Sequence, residues 1–133
     1  MGEEQRLTSE EQLATAREAF ETGTDFTVAV EEEFALLDPE TLSLVNRYEA
    51  LKAAAAGSEL DEHLVGELIA SEAEVRTGKC ADFAEAASRM AERRAQLQAL
   101  ARDQGLQLGA TGTHPWSRWQ DQRIIDKIGR AHV

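Results

Sequence analysis

The chain has 133 residues, which is enough for one domain with a moderate hydrophobic core. Its net charge of −11 predicts that it binds neither nucleic acid nor anionic membranes, and that cations are its natural ligands. The single cysteine, Cys80, excludes an internal disulfide, and the polar start of the chain and its lack of an apolar run of about 20 residues predict a soluble, cytoplasmic protein.

The first predicted element is an amphipathic helix in the lead-in segment, residues 1–24. Ser9 and Gln12 form a capping-box pattern at its start. Apolar residues then recur on one face as far as Phe20, and Gly23 follows the predicted end of the helix. The pattern is weakly amphipathic.

A β-hairpin is predicted next. Residues 26–37 form its first strand, in which apolar and polar side chains alternate before a run of three glutamates. The sequence DPET at 38–41 has the composition of a tight turn, because proline presets the backbone at the second turn position. The segment LSLV, residues 42–45, is predicted to return as the partner strand.

The rest of the chain alternates helices and strands. Residues 48–56 are rich in alanine and predict a short helix, and residues 67–77 predict a second strand region. Residues 82–103 predict the longest helix, and LQLGATG predicts a third strand that runs into the loop THPWSRWQDQ. This order of elements is typical of an α+β fold.

The glutamate run FTVAVEEEFALLD places charge within a strand. Since side chains alternate between the two faces, Glu31 and Glu33 share one face, and Glu72 and Glu74 share a face of the second strand. Like charges on neighbouring strands destabilise a sheet unless a cation lies among them, and Mg²⁺ prefers carboxylate oxygens. The alternative is that the acids only keep a solvated sheet face or edge soluble.

Glu32 points to the opposite face by the same alternation. That face carries the apolar side chains that pack on helices, so an unpaired carboxylate there would be unfavourable. We expect Glu32 to lie at the end of the strand and to pair with a base such as Arg76 or Arg47, or to be displaced by a β-bulge.

Three motifs carry a resemblance to a known family. VAVEEEFALLD, SEAEVRTGKCAD and ATGTHPWSRWQDQ, in this order, resemble the glutamate-cysteine ligase type 2 family of carboxylate-amine ligases over residues 25–126. By this resemblance Glu31 and Glu33 match acids that hold Mg²⁺ and the nucleotide phosphates, and Glu74 matches a further metal or substrate ligand. Ala29 stands where the family usually has glycine.

The resemblance also implies a fold and a reaction. The fold would be the N-terminal part of a glutamine-synthetase-like catalytic domain, with a curved antiparallel sheet, helices on its outer face and the active site on its concave face. The reaction would be ATP-dependent and would join a glutamate side-chain carboxylate to cysteine or another amine through an acyl phosphate. No nucleophilic side chain of the protein is needed, and the full-length protein could form a homodimer.

The substrate pocket has four candidate residues. Arg76 could bind a substrate carboxylate, although pairing with a neighbouring acid explains it equally well. The resemblance places Thr113, His114 and Trp116 of the GTHPW loop in the pocket. From the sequence alone, a loop histidine is more often structural, and the tryptophan could equally cap the core.

The last seven residues, KIGRAHV, match the translation of a widely used short-read sequencing adapter. We therefore expect residues 127–133 to be non-native and the natural gene to continue differently after Asp126, although a native tail is the alternative. On this interpretation the chain is a ligase fragment that is inactive alone. The alternatives are a free-standing acidic Mg²⁺-binding or regulatory module, and a related ligase that acts on another acid or amine.

Overall fold

The computed structural model describes residues 8–125. The predicted boundary at 126 and the tail at 127–133 lie outside these residues. The described part of the chain is α+β, as the sequence predicts. Its elements are α1 Ser9–Glu21, β1 Glu31–Leu37, α2 Tyr48–Ala55, β2 Leu64–Val65, β3 Glu72–Arg76, α3 Phe83–Asp103 and β4 Gln107–Gly109, with short 3-10 helices at Asp61–His63 and Trp119–Asp121.

The four strands form one open antiparallel sheet in the order β2-β3-β1-β4. In the register of β1 and β3, Glu31 lies opposite Arg76 and Glu33 lies opposite Glu74. The ladder continues without interruption to Ala35, so no bulge displaces a glutamate. The antiparallel arrangement that the sequence predicts is therefore confirmed.

One face of the sheet carries the hydrophobic core. α3 packs on β3 and β4, and α2 packs on α3 and β2. Fully buried side chains on the helices and the strands meet in a single cluster, and they include Leu36, Leu51, Leu64, Val75 and Leu97. Because neighbouring strand residues alternate, burial of this face leaves the other face free for the glutamates of β1 and β3.

The two predicted helices that pack in the core, α2 and α3, are confirmed, together with the residues that were predicted to end α2 and to begin and end α3. Asp82 caps α3 by accepting a hydrogen bond from the backbone amide of Glu85 at 2.9 Å. Gly57 and Gly105 follow α2 and α3 with φ angles of 75° and 68°, the left-handed conformation that glycine adopts without strain.

The first helix has a different cap from the predicted one. Thr8 and Glu11 form the capping box, not Ser9 and Gln12, and the amide of Thr8 donates to the Glu11 carboxylate at 2.7 Å. No residue of α1 is buried, and the side chain of Phe20 is 87% exposed. None of the helices in the described range is long and apolar enough to cross a lipid bilayer.

The predicted hairpin is only partly formed. Its turn is present, with Asp38 accepting hydrogen bonds from the two backbone amides that follow Pro39. The returning strand is wrong, because the segment makes a single bridge from Leu44 to Leu37. The amide of Leu36 donates to the carbonyl of Ser71, and residues 31–35 of β1 pair with β3. These residues of β1 are therefore not available to pair with the segment 42–45 along that edge.

The strand that carries the glutamates is shorter than predicted. It begins at Glu31 rather than at residue 26, because Phe26 adopts a φ of 60° and is 99% exposed. Val28 still lies beside the sheet, where it forms an isolated bridge with Cys80. The short strand β2 has no counterpart in the sequence-based prediction.

Candidate metal centre

The face of the sheet opposite the core is acidic. We call it the acidic face and define it by the following side chains of β1, β3 and the segment before β3: Glu31, Glu33, Glu67, Glu72, Glu74 and Arg76. Directly opposite residues in an antiparallel pair have Cβ atoms about 5 Å apart, so the register brings Glu33 and Glu74 side by side. The predicted sharing of one face by alternate glutamates is confirmed by this register.

Glu67 completes a group of three carboxylates. One oxygen from each of Glu33, Glu67 and Glu74 lies within 4.8 Å of the other two. Glu74 is buried, Glu67 is partly buried and Glu33 is exposed, so the group opens to solvent on one side. A cation could therefore enter from the exposed side.

Glu67 is not among the site residues predicted from the sequence, because the pattern of residues 67–77 predicts one continuous strand. In the structure, β3 begins only at Glu72. Gly66 lies so close to the core that an added Cβ atom would stand 2.5 Å from Cε1 of Tyr48. The glycine that precedes an acid in HLVGELIAS is the signal that could have indicated this close approach.

The carboxylates perturb one another's protonation. Contact with the Glu74 carboxylate, followed by burial and the charge of Glu33, raises the pKa of Glu67. Burial, followed by the charge of Glu33, raises the pKa of Glu72. Both shifts have the direction expected for carboxylates that are partly buried near another carboxylate.

Arg76 is the base that contacts this group. Its Nε lies 2.5 Å from Oε1 of Glu74 and 3.0 Å from Oε1 of Glu31. The hydrogen bond with Glu74 raises the pKa of Arg76. Of the two readings that the sequence left open, pairing with a neighbouring acid is therefore confirmed, and binding of a substrate carboxylate stays a prediction.

The donor set suits a hard divalent cation. All three converging donors are carboxylate oxygens, which Mg²⁺, Mn²⁺ and Ca²⁺ prefer and which soft metals do not. The distance from the metal to a ligand oxygen is about 2.1 Å for Mg²⁺ and about 2.4 Å for Ca²⁺. Three oxygens within 4.8 Å of one another lie within about 2.8 Å of a common point, so side-chain movements of less than about 1 Å would give a ligand set. The residues therefore fit a divalent cation.

The prediction for Glu32 is right about its face and wrong about its partner. Both carboxylate oxygens of Glu32 accept hydrogen bonds from the guanidinium group of Arg94 on α3. These hydrogen bonds lower the pKa of Glu32. Arg76 is not its partner because that guanidinium contacts Glu31 and Glu74 on the acidic face, and Arg94 takes the place predicted for Arg47.

His114 stabilises the GTHPW loop through hydrogen bonds to Ser117 and to Leu42. Nδ1 of His114 accepts hydrogen bonds from the hydroxyl and the amide of Ser117, at 2.9 and 3.2 Å, so Nε2 carries the proton and donates to the carbonyl of Leu42 at 2.8 Å. The ring of Trp116 meets the histidine edge to face at 4.7 Å and is 59% exposed. Thr113 is exposed in the same loop. The substrate-binding roles of Thr113, His114 and Trp116 stay predictions.

Comparison with known families identifies the chain. A model of the glutamate-cysteine ligase family 2 (GCS2) matches residues 27–131. The chain belongs to this family. The family resemblance carried by the three sequence motifs is therefore confirmed. No solved structure matches the chain at a significant level.

Individual members of glutamate-cysteine ligase family 2 align with most of this chain. The chain is 44% identical over 111 residues to "Putative glutamate--cysteine ligase 2-2" of Rubrobacter xylanophilus, covering 83% of this chain and 28% of that protein. It is 39% identical over 102 residues to "Putative glutamate--cysteine ligase 2" of Sorangium cellulosum, covering 76% and 27%. The chain thus spans less than a third of the length of these curated relatives.

Proposed function

We propose that this chain supplies a divalent-cation site of an ATP-dependent carboxylate-amine ligase of the glutamate-cysteine ligase type. The observation that carries the proposal is the convergence of Glu33, Glu67 and Glu74, whose carboxylate oxygens lie within 4.8 Å of one another on an open sheet face. Family membership supports the ligase chemistry, because the relatives that align with most of this chain are named for glutamate–cysteine ligation.

The electrostatics of the acidic face support a bound cation. Two carboxylates whose oxygens lie within 4.8 Å of each other repel by about 1 kcal/mol or more in water, and by about 3 kcal/mol or more at an effective dielectric constant of about 20. Glu74 is buried and Glu33 is exposed, so their repulsion lies between these limits. The pairing of β1 with β3 keeps Glu33 and Glu74 next to each other, so the two acids cannot reduce their repulsion by moving apart. Binding of a cation between them would reduce it.

In the proposed reaction, ATP phosphorylates the side-chain carboxylate of glutamate, and the amine of cysteine or a similar compound then displaces phosphate to form the amide. A bound Mg²⁺ would neutralise negative charge on the transferring phosphoryl group. The chain's own part is positional. Glu33 and Glu74 are fixed on paired strands, Glu67 approaches from the segment before β3, and Arg76 offers a positive group to an incoming anion.

The cation site is tested by titrating the 133-residue chain with Mn²⁺ and measuring free and bound metal by electron paramagnetic resonance. We expect Glu33→Gln and Glu74→Gln each to weaken binding at least tenfold, because each removes one charged ligand. Glu32→Gln is the matched control, since it neutralises a neighbouring glutamate that faces α3. Equal effects of Glu32→Gln and Glu33→Gln would refute the site.

The ligase activity is tested in a chimaera in which this chain replaces the matching region of the Rubrobacter xylanophilus relative. Amide formation from ATP, glutamate and cysteine is followed by mass spectrometry of the product and by release of ADP. We expect a chimaera with Glu33→Gln to lose ligation, and one with Glu32→Gln to keep most of it. Activity that survives Glu33→Gln and Glu74→Gln would contradict the proposed role of the acidic face.

A further inference from the structure

Glu74 contacts both acids and a base on the acidic face. It converges with the carboxylates of Glu33 and Glu67. Its Oε1 also lies 2.5 Å from Nε of Arg76. A divalent cation bound by the three glutamates would therefore share the buried carboxylate of Glu74 with the guanidinium group of Arg76.

We propose that Arg76, as the counter-ion of Glu74, lowers the affinity of the site for a divalent cation alone. We propose that it raises the affinity for a divalent cation that carries an anionic ligand. This inference rests on the proposed cation site and states how that site selects its ligand. The anionic group would be a phosphate or a carboxylate, because a guanidinium group binds both through parallel hydrogen bonds.

Arg76 competes with a divalent cation for the carboxylate of Glu74. Nε of Arg76 bridges Glu31 and Glu74, at 3.0 and 2.5 Å, and so partly neutralises the acidic face before any ligand binds. A cation that binds Glu74 weakens the attraction between Glu74 and Arg76 and lies near a second positive charge. Repulsion of this kind, a few ångströms apart and beside solvent, corresponds to about a tenfold loss of affinity.

The exposure of Arg76 allows it to bind an anion that accompanies the cation. Its side chain is 45% exposed, whereas that of Glu74 is 5% exposed, so the arginine can turn away while the glutamate stays in place. The bound cation would then neutralise the buried carboxylate of Glu74, so the movement of Arg76 would not leave that charge unpaired. Once released from Glu74, the guanidinium group can donate to an anion held by the cation, and the two ligands then bind better together than apart.

The test measures Mn²⁺ affinity of the 133-residue chain by electron paramagnetic resonance, with and without pyrophosphate, and counts the Mn²⁺ that pyrophosphate itself complexes. In the absence of anion, we expect Arg76→Gln to bind Mn²⁺ about tenfold more tightly than the parent chain. Pyrophosphate should tighten Mn²⁺ binding in the parent chain, and this enhancement should disappear in Arg76→Gln. A parallel titration with glutamate in place of pyrophosphate distinguishes a carboxylate partner from a phosphate partner.

Two variants control the measurement. Arg102→Gln makes the same change in net charge at an exposed position in the last turn of α3, and should leave both affinities unchanged. Arg76→Lys keeps the charge and should bind bare Mn²⁺ within about twofold of the parent chain, because the charge provides the opposition. If circular dichroism shows that Arg76→Gln does not fold, the enhancement by pyrophosphate in Arg76→Lys is measured instead, and it should be smaller than in the parent chain because lysine cannot form the parallel hydrogen bonds. An enhancement equal to that of the parent chain would refute the role of Arg76.

The outcomes separate this inference from the proposed site. If Arg76→Gln binds bare Mn²⁺ no better than the parent chain while Glu74→Gln binds it worse, the cation site stands and the role of Arg76 is refuted. If neither pyrophosphate nor glutamate enhances binding in the parent chain, the coupling to an anion is refuted. If neither the parent chain nor Arg76→Gln binds Mn²⁺ at millimolar concentrations, both proposals fail.

Discussion

Replacing Gly66 by alanine is expected to disturb both the core and the acidic face. The added Cβ atom would lie 2.5 Å from Cε1 of Tyr48 and 2.8 Å from Cδ1 of Ile125, whereas ordinary contacts are 3.4–4 Å. The neighbours would therefore have to move by about 1 Å, and overpacking of this size costs about 1–3 kcal/mol. Because Glu67 follows directly in the chain, the same movement should displace one carboxylate of the proposed cation site.

Urea denaturation of Gly66→Ala, with and without Mn²⁺, measures the loss of stability from the clash and the loss of stabilisation by bound metal. Gly57→Ala is the matched control, because Gly57 has a φ of 75° and no atom within 4 Å of the added Cβ, so it reports backbone strain without a clash. We expect Gly66→Ala to lose stability and most of its stabilisation by Mn²⁺, and Gly57→Ala to lose stability only. A Gly66→Ala variant with unchanged stability and unchanged Mn²⁺ response would refute the reasoning.

Two further predictions follow from the pKa shifts of Glu67 and Glu32. Because the folded chain raises the pKa of Glu67 above its ordinary 4.5, ionisation there costs stability as pH rises. Glu67→Gln should therefore stabilise the metal-free chain at pH 7 but not at pH 3 in thermal melts, and equal effects at both would contradict this. The lowered pKa of Glu32 has the opposite sign, so Glu32→Gln should cost at most about 1 kcal/mol at pH 7 in urea denaturation, a cost that disappears as pH falls through the folded pKa.

The helices of the core could be predicted because their signals are local. Asp82 and the glycines after α2 and α3 act within a few residues of the helix ends. The cap of α1 was misplaced by one residue because Thr8 with Glu11 and Ser9 with Gln12 fit the same pattern. Local sequence indicates that a cap exists there, but it does not distinguish two adjacent candidates.

The errors in the sheet arise from competition between distant segments. The turn at Asp38 was predictable from composition, but its returning segment is not a strand, because β3 pairs with β1 as far as Ala35. The partner of Glu32 depends on where α3 crosses β1, and Arg94 lies 62 residues further along the chain. No local pattern contains that information.

The candidate site was predictable to the extent that it depends on strand alternation. Spacing alone predicts that Glu31 shares a face with Glu33, and Glu72 with Glu74. The register shows that both pairs lie on the same face of the sheet. Glu67 was missed because its position depends on the close packing of Gly66 against Tyr48, which is a tertiary contact.

The proposed binding of a divalent cation by Glu33, Glu67 and Glu74 can be tested by anomalous diffraction from crystals of the chain soaked in Mn²⁺. We expect an anomalous peak at about 2.2 Å from one carboxylate oxygen of each of these three residues. A map without a peak there at saturating Mn²⁺, or a peak elsewhere with Glu33 and Glu74 unliganded, would contradict it.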